Sequence, residues 1–375
     1  MYFNFAERSA DDWWSRRAFV RAWWRGNARD RRWVPPNYPF VVNTVVNRAE
    51  PYFNSLHAAA LTLEAVPRRD PGSSIYAAGL APGMGDTIVA QGLVLTPNRR
   101  DPVTAYLAML SVSNDEESLE HLLAAAWQQG MGLGAQRLVA PAELAPSFSA
   151  GLLMDHFHRP PPLHTPYNSP YLPELLEGAM DPVRFSRLWH LETTTGVALP
   201  AQPAGIEIAA FDVRRLAADL LPLLHVSACD AEGSETPPDP AEVEFALRMW
   251  SVSPLIGCLA QIDGAPVGFV LMQADVGAAM RSARGGLPLW GRAALAFRPP
   301  VRATAGRLLL GALLPEQRGR GLALHLLGHA LAMAREFGWR TLATGPVAEG
   351  SAAAHFLESI GAIPLQRYCL FAQEG

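Results

Sequence analysis

Residues 313–330 read LLPEQRGRGLALHLLGHA, the end of an apolar run, a burst of arginine and glycine, and then a second apolar stretch with different spacing. The run GRLLLGALL that leads into it predicts a buried strand over 307–314. After the burst, Leu322, Leu326, Ala330, Met333 and Phe337 recur at helical intervals and predict a helix over about 322–337, buried along that stripe. Between the two, Gly319 and Gly321 permit left-handed backbone, which turns successive N–H groups toward one concavity. The helix starting at Leu322 adds its own unpaired donors and the positive end of its dipole. A corner of this kind attracts an anion such as a diphosphate. Arg318 and Arg320 raise the local potential, and Ala323 keeps the first helical turn small enough for close approach.

Composition narrows what that anion belongs to. The chain has 375 residues, 49% of them hydrophobic, and a formal net charge of −4. At roughly 150 residues per domain this length predicts two units. All 31 basic residues are arginine. Without a lysine there is no Schiff-base amine and no P-loop, so both of those chemistries are excluded. The acidic balance predicts no nucleic-acid partner. Cys229, Cys258 and Cys369 are scattered and form neither a CxxC pair nor a disulfide framework, which fits a reducing compartment. The N-terminal MYFNFAERSADDWWSRR has no uninterrupted apolar core, and no later run approaches the ~20 apolar residues of a membrane span, so a cytoplasmic protein without a membrane partner is expected. His325 and His329 are four apart, but Leu326 stands where a metalloprotease helix carries glutamate and no third ligand accompanies them. They are assigned to a solvent stripe with Glu336, and no metal is expected. His156, His158 and His164, around a run of prolines, read as loop.

Along the chain, Trp13, Trp14, Phe19, Val20, Trp23 and Trp24 among arginines predict an amphipathic helix packed on the first domain. Strands are predicted at about 57–67, 88–96 and 104–112, then a capped helix NDEESLEHLLAAAWQQG ended by Gly130, a strand AQRLVAP, a short helix and a strand near 185–192. VALPAQPAG at 197–205 has linker composition. A similar succession then restarts with strand IEIAAFD, a helix through RRLAADLLPLL, a helix near 240–250, and strands LIGCLAQID and PVGFVLMQAD joined by the turn DGAP. An Arg/Pro-rich excursion over 276–304 precedes the strand of the opening stretch. The fold class expected is α/β, a duplication in which residues 1–198 and 205–375 each form a mixed twisted sheet flanked by helices.

In RGRGLA, Arg318, Gly321 and Ala323 fit the spacing [RQ]-x-x-G-x-[GA], and the context runs on through strand RTLATG, helix SAAAHFLESIGA and strand LQRYCLFA. This resembles the acetyl-CoA loop of the GNAT superfamily of N-acyltransferases across 205–375. In the first half, DRRWVPP (30–36), GLLMDHF (151–157) and PYNSPYLPELLE (166–177) resemble strings that recur in a bacterial branch of tandem GNAT-like proteins. The first half has SVSNDEE where the loop would be, and acids there repel phosphates, so that half is expected to be non-catalytic.

The resemblance implies an acyl-CoA co-substrate with its diphosphate on Gln317, Arg318, Gly319, Arg320, Gly321, Leu322 and Ala323, and its pantetheine paired with the main chain of Ala312, Leu313 and Leu314. It implies transfer to the amine of a small molecule or peptide. A lysine-like amine with pKa near 10.4 costs about 4 kcal/mol to deprotonate at neutral pH, so a base or water chain should help. The superfamily's tyrosine slot falls on Leu357 and its asparagine slot on Gly350. Tyr368, Ser351 and Glu349 are the substitute catalytic candidates. The alternative is a CoA-binding or scaffold protein without turnover; a transferase using aminoacyl-tRNA is disfavoured by the acidic balance.

Overall fold

The computed structural model describes residues 3–9, 12–67, 88–97, 103–196, 199–201, 205–211, 221–224, 238–297 and 303–375. The first half comprises β1 (Phe3–Ser9), α1 (Trp13–Asn27), α2 (Tyr38–Val41), α3 (Pro51–Asn54), β2 (Leu56–Pro67), β3 (Ile88–Pro97), β4 (Thr104–Val112), α4 (Glu116–Met131), β5 (Arg137–Ala142), β6 (Leu152–Leu153), α5 (Leu172–Ala179) and β7 (Asp181–Glu192). The second comprises β8 (Ile206–Ala210), α6 (Pro240–Trp250), β9 (Leu255–Ile262), β10 (Ala265–Ala274), α7 (Gly277–Ser282), α8 (Leu289–Phe297), β11 (Ala305–Leu313), α9 (Leu322–Glu336), β12 (Thr341–Ala348), α10 (Ala352–Ser359) and β13 (Ile363–Glu374). The helix expected through RRLAADLLPLL falls largely outside the described residues, as does Cys229.

Local chemistry sets these boundaries. Asp12 caps α1 by accepting the N–H groups of Trp14 and Ser15 at 2.8 and 3.0 Å. The helix then buries Phe19, Val20, Trp23 and Trp24, while Trp14, expected on the same face, is exposed. Trp24 and Trp33 meet edge to face at 5.0 Å and Trp24 and Tyr38 at 4.9 Å, which is the preferred geometry of aromatic pairs. The turn DGAP closes the β9–β10 hairpin with Asp263 and Gly264 at φ 50° and 78°, the positive pair that a two-residue turn requires.

The twelve strands on the main path form one sheet in the order β1-β2-β3-β4-β5-β13-β7-β12-β11-β10-β9-β8. Each half contributes one parallel pair, β4 with β5 and β11 with β12, and the other pairings are antiparallel. The order reads almost the same from either end, as a duplication requires. The two mixed sheets expected from the sequence are fused at their centre. β13, last strand of the second half, lies between β5 and β7, and β7, last strand of the first, lies between β13 and β12. Each half therefore completes its sheet with the other's final strand, and neither leaves its inner edge unpaired.

Side chains reinforce the junction. Phe245 of α6 is fully buried against Phe40, Tyr52 and Phe53 of the first half. The buried Glu242 accepts both the main-chain N–H and the hydroxyl of Ser147 at 2.8 Å. The excursion after β10 packs back on the first half as well: a Cβ on Gly285 would meet the Pro36 carbonyl oxygen at 2.3 Å. Of the linker stretch, Leu199–Ala201 are described, with Leu199 against Gly328 and Pro200 against Gly321, along one side of α9.

Candidate functional site

β11 and β12 pair from Ala305 with Thr341 to Leu308 with Thr344, and then part. The register between β10 and β11 skips one residue of β11 at Leu309, and such a bulge re-aims the strand. On β12, Pro346 has no N–H to donate, and pairing with β7 resumes only at Val347. Beyond Leu308 the β12-facing edge of β11 is therefore free of a partner strand among the described residues.

Which amides face this gap follows from the antiparallel alternation of donors. The Leu314 N–H donates to the Val267 carbonyl at 2.9 Å, so Ala312, two residues earlier, also turns its N–H toward β10. The expectation that Ala312, Leu313 and Leu314 all offer main chain to the gap is corrected on this point. Leu313 faces the gap, joined by Gly311, while Ala312 and Leu314 commit their donors to the β10 ladder.

The corner after β11 is a 3-10 turn, Pro315–Gln317, followed by the two glycines. Gly319 and Gly321 adopt φ 72° and 80°, which a side chain would resist. The Gly321 carbonyl accepts the N–H groups of Leu324 and His325 at 3.1 and 3.3 Å and so starts α9. Among the described residues no main-chain acceptor takes the N–H groups of Gly319, Arg320, Gly321, Leu322 or Ala323. The Arg320 guanidinium is steadied by the Gln317 side-chain oxygen at 3.1 Å, and Arg318 reaches the Leu313 carbonyl at 3.4 Å; both arginines are exposed.

No protein-family model and no curated protein sequence matches the chain. Solved structures do. A tandem GNAT protein from the clavulanic acid biosynthesis pathway aligns over 100% of this chain and 98% of its own, with a TM-score of 0.55 at 15% sequence identity. The chain has a tandem GNAT fold. A GCN5-related N-acetyltransferase from Sphaerobacter thermophilus aligns over 99% of this chain and 95% of its own, with a TM-score of 0.50 and 15% identity. A conserved protein of unknown function from Enterococcus faecalis V583, described as a probable N-acyltransferase, aligns over 99% and 73%, with a TM-score of 0.56 and 7% identity.

Within the tandem GNAT fold the first half repeats the parting strands but not the corner. β4 and β5 pair from Thr104 with Arg137 to Ala108 with Ala142, Met109 sits at φ 52° beside a register shift, and Pro141 occupies the place of Pro346. At the start of α4, however, Asp115 accepts the Ser118 N–H at 2.9 Å, and Glu116 and Glu117 fill the first turn. The helix N-terminus is already served by a carboxylate.

The three catalytic candidates occupy structural positions. Glu349 lies between two guanidinium groups, 2.9 Å from Arg367 Nε and Nη2 and 3.1 Å from Arg187 Nη2. The hydrogen bond from Arg367, then that from Arg187, holds its carboxyl below the usual range despite some desolvation, the opposite of what a base needs. Ser351 caps α10, accepting from the Ala354 N–H at 3.2 Å and donating to the Ala348 carbonyl at 2.7 Å. Tyr368 is wholly buried among Leu153 and Leu188, and burial drives its phenol well above the usual value.

Glu349 yields a pH test. Its folded pKa is depressed, so the pair stabilises the protein above the unfolded carboxylate pKa and the contribution is lost as pH falls through the folded value. Glu349→Gln is expected to cost about 1 kcal/mol or less at pH 7, because the group is partly exposed. Thermal melts of the two proteins should differ at pH 7 and converge as the pH falls below the usual carboxylate range.

Other expectations also change. His325 is buried with its Nε2 unpartnered, not on the solvent stripe with His329 and Glu336, whereas Phe337 is 51% exposed. Leu357 is buried, and Gly350 turns at φ 76°. Among the described residues no group of His, Cys, Asp and Glu could hold a metal ion, and no helix is long and apolar enough to cross a membrane. One polar residue that sequence reasoning passed over is Arg307 on β11, buried and donating to the carbonyls of Leu163 and Gly345. Its signal was a lone arginine inside the apolar run GRLLLGALL.

Proposed function

We propose that the second half binds acyl-CoA at the Gly319–Ala323 corner and transfers the acyl group to an amine. The single observation behind this reading is the set of N–H groups from Gly319 to Ala323 with no main-chain acceptor among the described residues, held at a helix N-terminus by two left-handed glycines and placed directly after the open edge of β11. That array fits a diphosphate. The adjoining Gly311 and Leu313 amides fit the amide-bearing arm of CoA, paired as an added strand would be.

In the reaction the acceptor nitrogen attacks the thioester carbonyl, a C–N bond forms, the C–S bond breaks, and the thiolate leaves and takes up a proton. This chain's share is to hold the carrier and to offer a main-chain N–H of β11 near the bulge to the developing oxyanion. With Glu349 paired, Ser351 capping and Tyr368 enclosed, the acceptor's proton passes to solvent water entering through the gap. GNAT enzymes among the solved neighbours support the reaction class, and the acidic first turn of α4 supports assigning the carrier to the second half alone.

Calorimetry with acetyl-CoA tests the binding, and acceptor-dependent thiol release over a panel of amines tests the transfer. Arg318→Ala with Arg320→Ala should weaken acetyl-CoA binding about tenfold and flatten its salt dependence, because each arginine contributes a screened charge and not the cradle itself. Thiol release that never depends on an added amine would leave the non-catalytic binding reading in place.

A further inference from the structure

The three sequence strings that mark the first half are not used by the acyl-CoA corner, yet they converge on one place. The Tyr167 hydroxyl donates to Asp30 at 2.6 Å, and the Asn168 side chain accepts from the Leu153 N–H at 2.7 Å and donates to its carbonyl at 3.2 Å. These bonds draw DRRWVPP, GLLMDHF and PYNSPY around a cleft where β4 and β5 part, enclosing about 1100 Å³ with its open mouth included. Trp23, Trp33, Phe40 and Tyr167 supply aromatic wall, and Met249 closes it from the second half.

Glu143, just past the end of β5, reaches this cleft. Its main-chain N–H is spent on the Ser149 carbonyl at 2.9 Å, but its carboxyl has no hydrogen-bond or ionic partner among the described residues. Desolvation pushes that half-buried carboxyl up to about 7, with no hydrogen bond or opposite charge to lower it. On the same lining, the Ser149 and Thr165 hydroxyls and His164 Nε2 are buried without partners among the described residues. Among the described residues no arginine lines the cleft, although the chain has 31 of them. Arg307 lies behind His164 with its guanidinium given to the Leu163 and Gly345 carbonyls, and burial, helped by Arg307, lowers His164 to about 3, so the imidazole there is neutral.

We propose that this cleft is a binding site for an organic ammonium ion with an apolar body, its charge on Glu143 and its body against the aromatic wall. A desolvated, unpaired carboxylate is costly, and a ligand ammonium supplies the missing counter-charge where the dielectric is low. The rings add cation–π attraction. Phosphates and carboxylates find no positive partner on the lining, which separates this site from the acyl-CoA corner. The neighbouring hydroxyls accept or donate to any further polar group of the ligand.

Calorimetric titration of the full chain at pH 7.5 with 2-phenylethylamine and with its neutral counterpart 2-phenylethanol tests this without any CoA. The amine should bind about tenfold or more tightly than the alcohol. In Glu143→Gln the two affinities should come within about twofold, and Arg318→Ala should leave the wild-type ratio unchanged. Equal affinity of amine and alcohol for the wild-type protein, no amine binding at millimolar concentration, or a ratio that survives in Glu143→Gln would each overturn the assignment. The wild-type comparison stands even where the variant fails to fold.

Discussion

Removing residues 363–375 is expected to unfold both halves of the protein, not only the half to which those residues belong. β13 pairs with β7 along its length and with β5 from Phe371 to Glu374. It buries Tyr368, Cys369 and Phe371 completely, and Phe371 sits in the core under α4 and α5. At about 1.5–3 kcal/mol for each large buried apolar side chain, together with the lost ladders, the deletion removes as much as the roughly 5–15 kcal/mol that hold an ordinary domain together. Circular dichroism and hydrogen exchange of the truncated chain should show no protected amides in β3, β4 or β5. The fragment 1–198 expressed alone should likewise lack a cooperative melt, and coexpression with 205–375 should restore one. A sharp thermal transition for 1–198 alone would mean that the shared strands are dispensable to the first half.

Gly321→Ala is expected to lower acetyl-CoA affinity about 100-fold while shifting the melting temperature only a few degrees. A non-glycine residue in left-handed backbone costs roughly 1–2 kcal/mol, and here the added Cβ would also meet Pro200 Cγ at 2.6 Å. The backbone escapes by rotating away from φ 80°, which turns the Gly321 and Leu322 amides out of the concavity. Gly319→Ala separates the two causes: a Cβ there meets nothing within 4 Å, so only the cost at φ 72° remains and a smaller loss is expected. Calorimetry paired with melts distinguishes a lost cradle from a lost fold. Unchanged affinity in Gly321→Ala would remove the corner from the acyl-CoA reading.

Much of the fold was legible because its signals are local. The strand 104–112, the helix 240–250 and the DGAP hairpin announce themselves through alternation, capping and turn chemistry, and the structure places them at those residues. The corner was equally legible, since two glycines between a strand and a helix have few uses. What the sequence does not display is partnership at a distance. LQRYCLFA reads as a strand whichever neighbour it has, and nothing within it says that it lies between β5 and β7. Glu349 and Ser351 have the types of catalytic residues, but the arginines 162 and 18 positions away, and a helix end, decide their roles. His325 lies at a helical spacing compatible with either face, and only packing against β9 and β10 chose the buried one. β1 is not among the predicted strands, and its antiparallel pairing with β2 from Phe3 to Ser9 is what defines it.

The exchange of final strands also sets a timetable for synthesis. When the ribosome has delivered Glu192, β5 has its helix and its outer neighbours, but the strand that covers its inner edge is still unmade. At ~5–20 residues per second, that edge waits on the order of ten seconds or more before Ile363–Glu374 emerge. Throughout that interval the nascent chain carries a bare ladder of donors and acceptors beside apolar surface. The strand exchange thus leaves the first half open to mispairing until synthesis reaches β13.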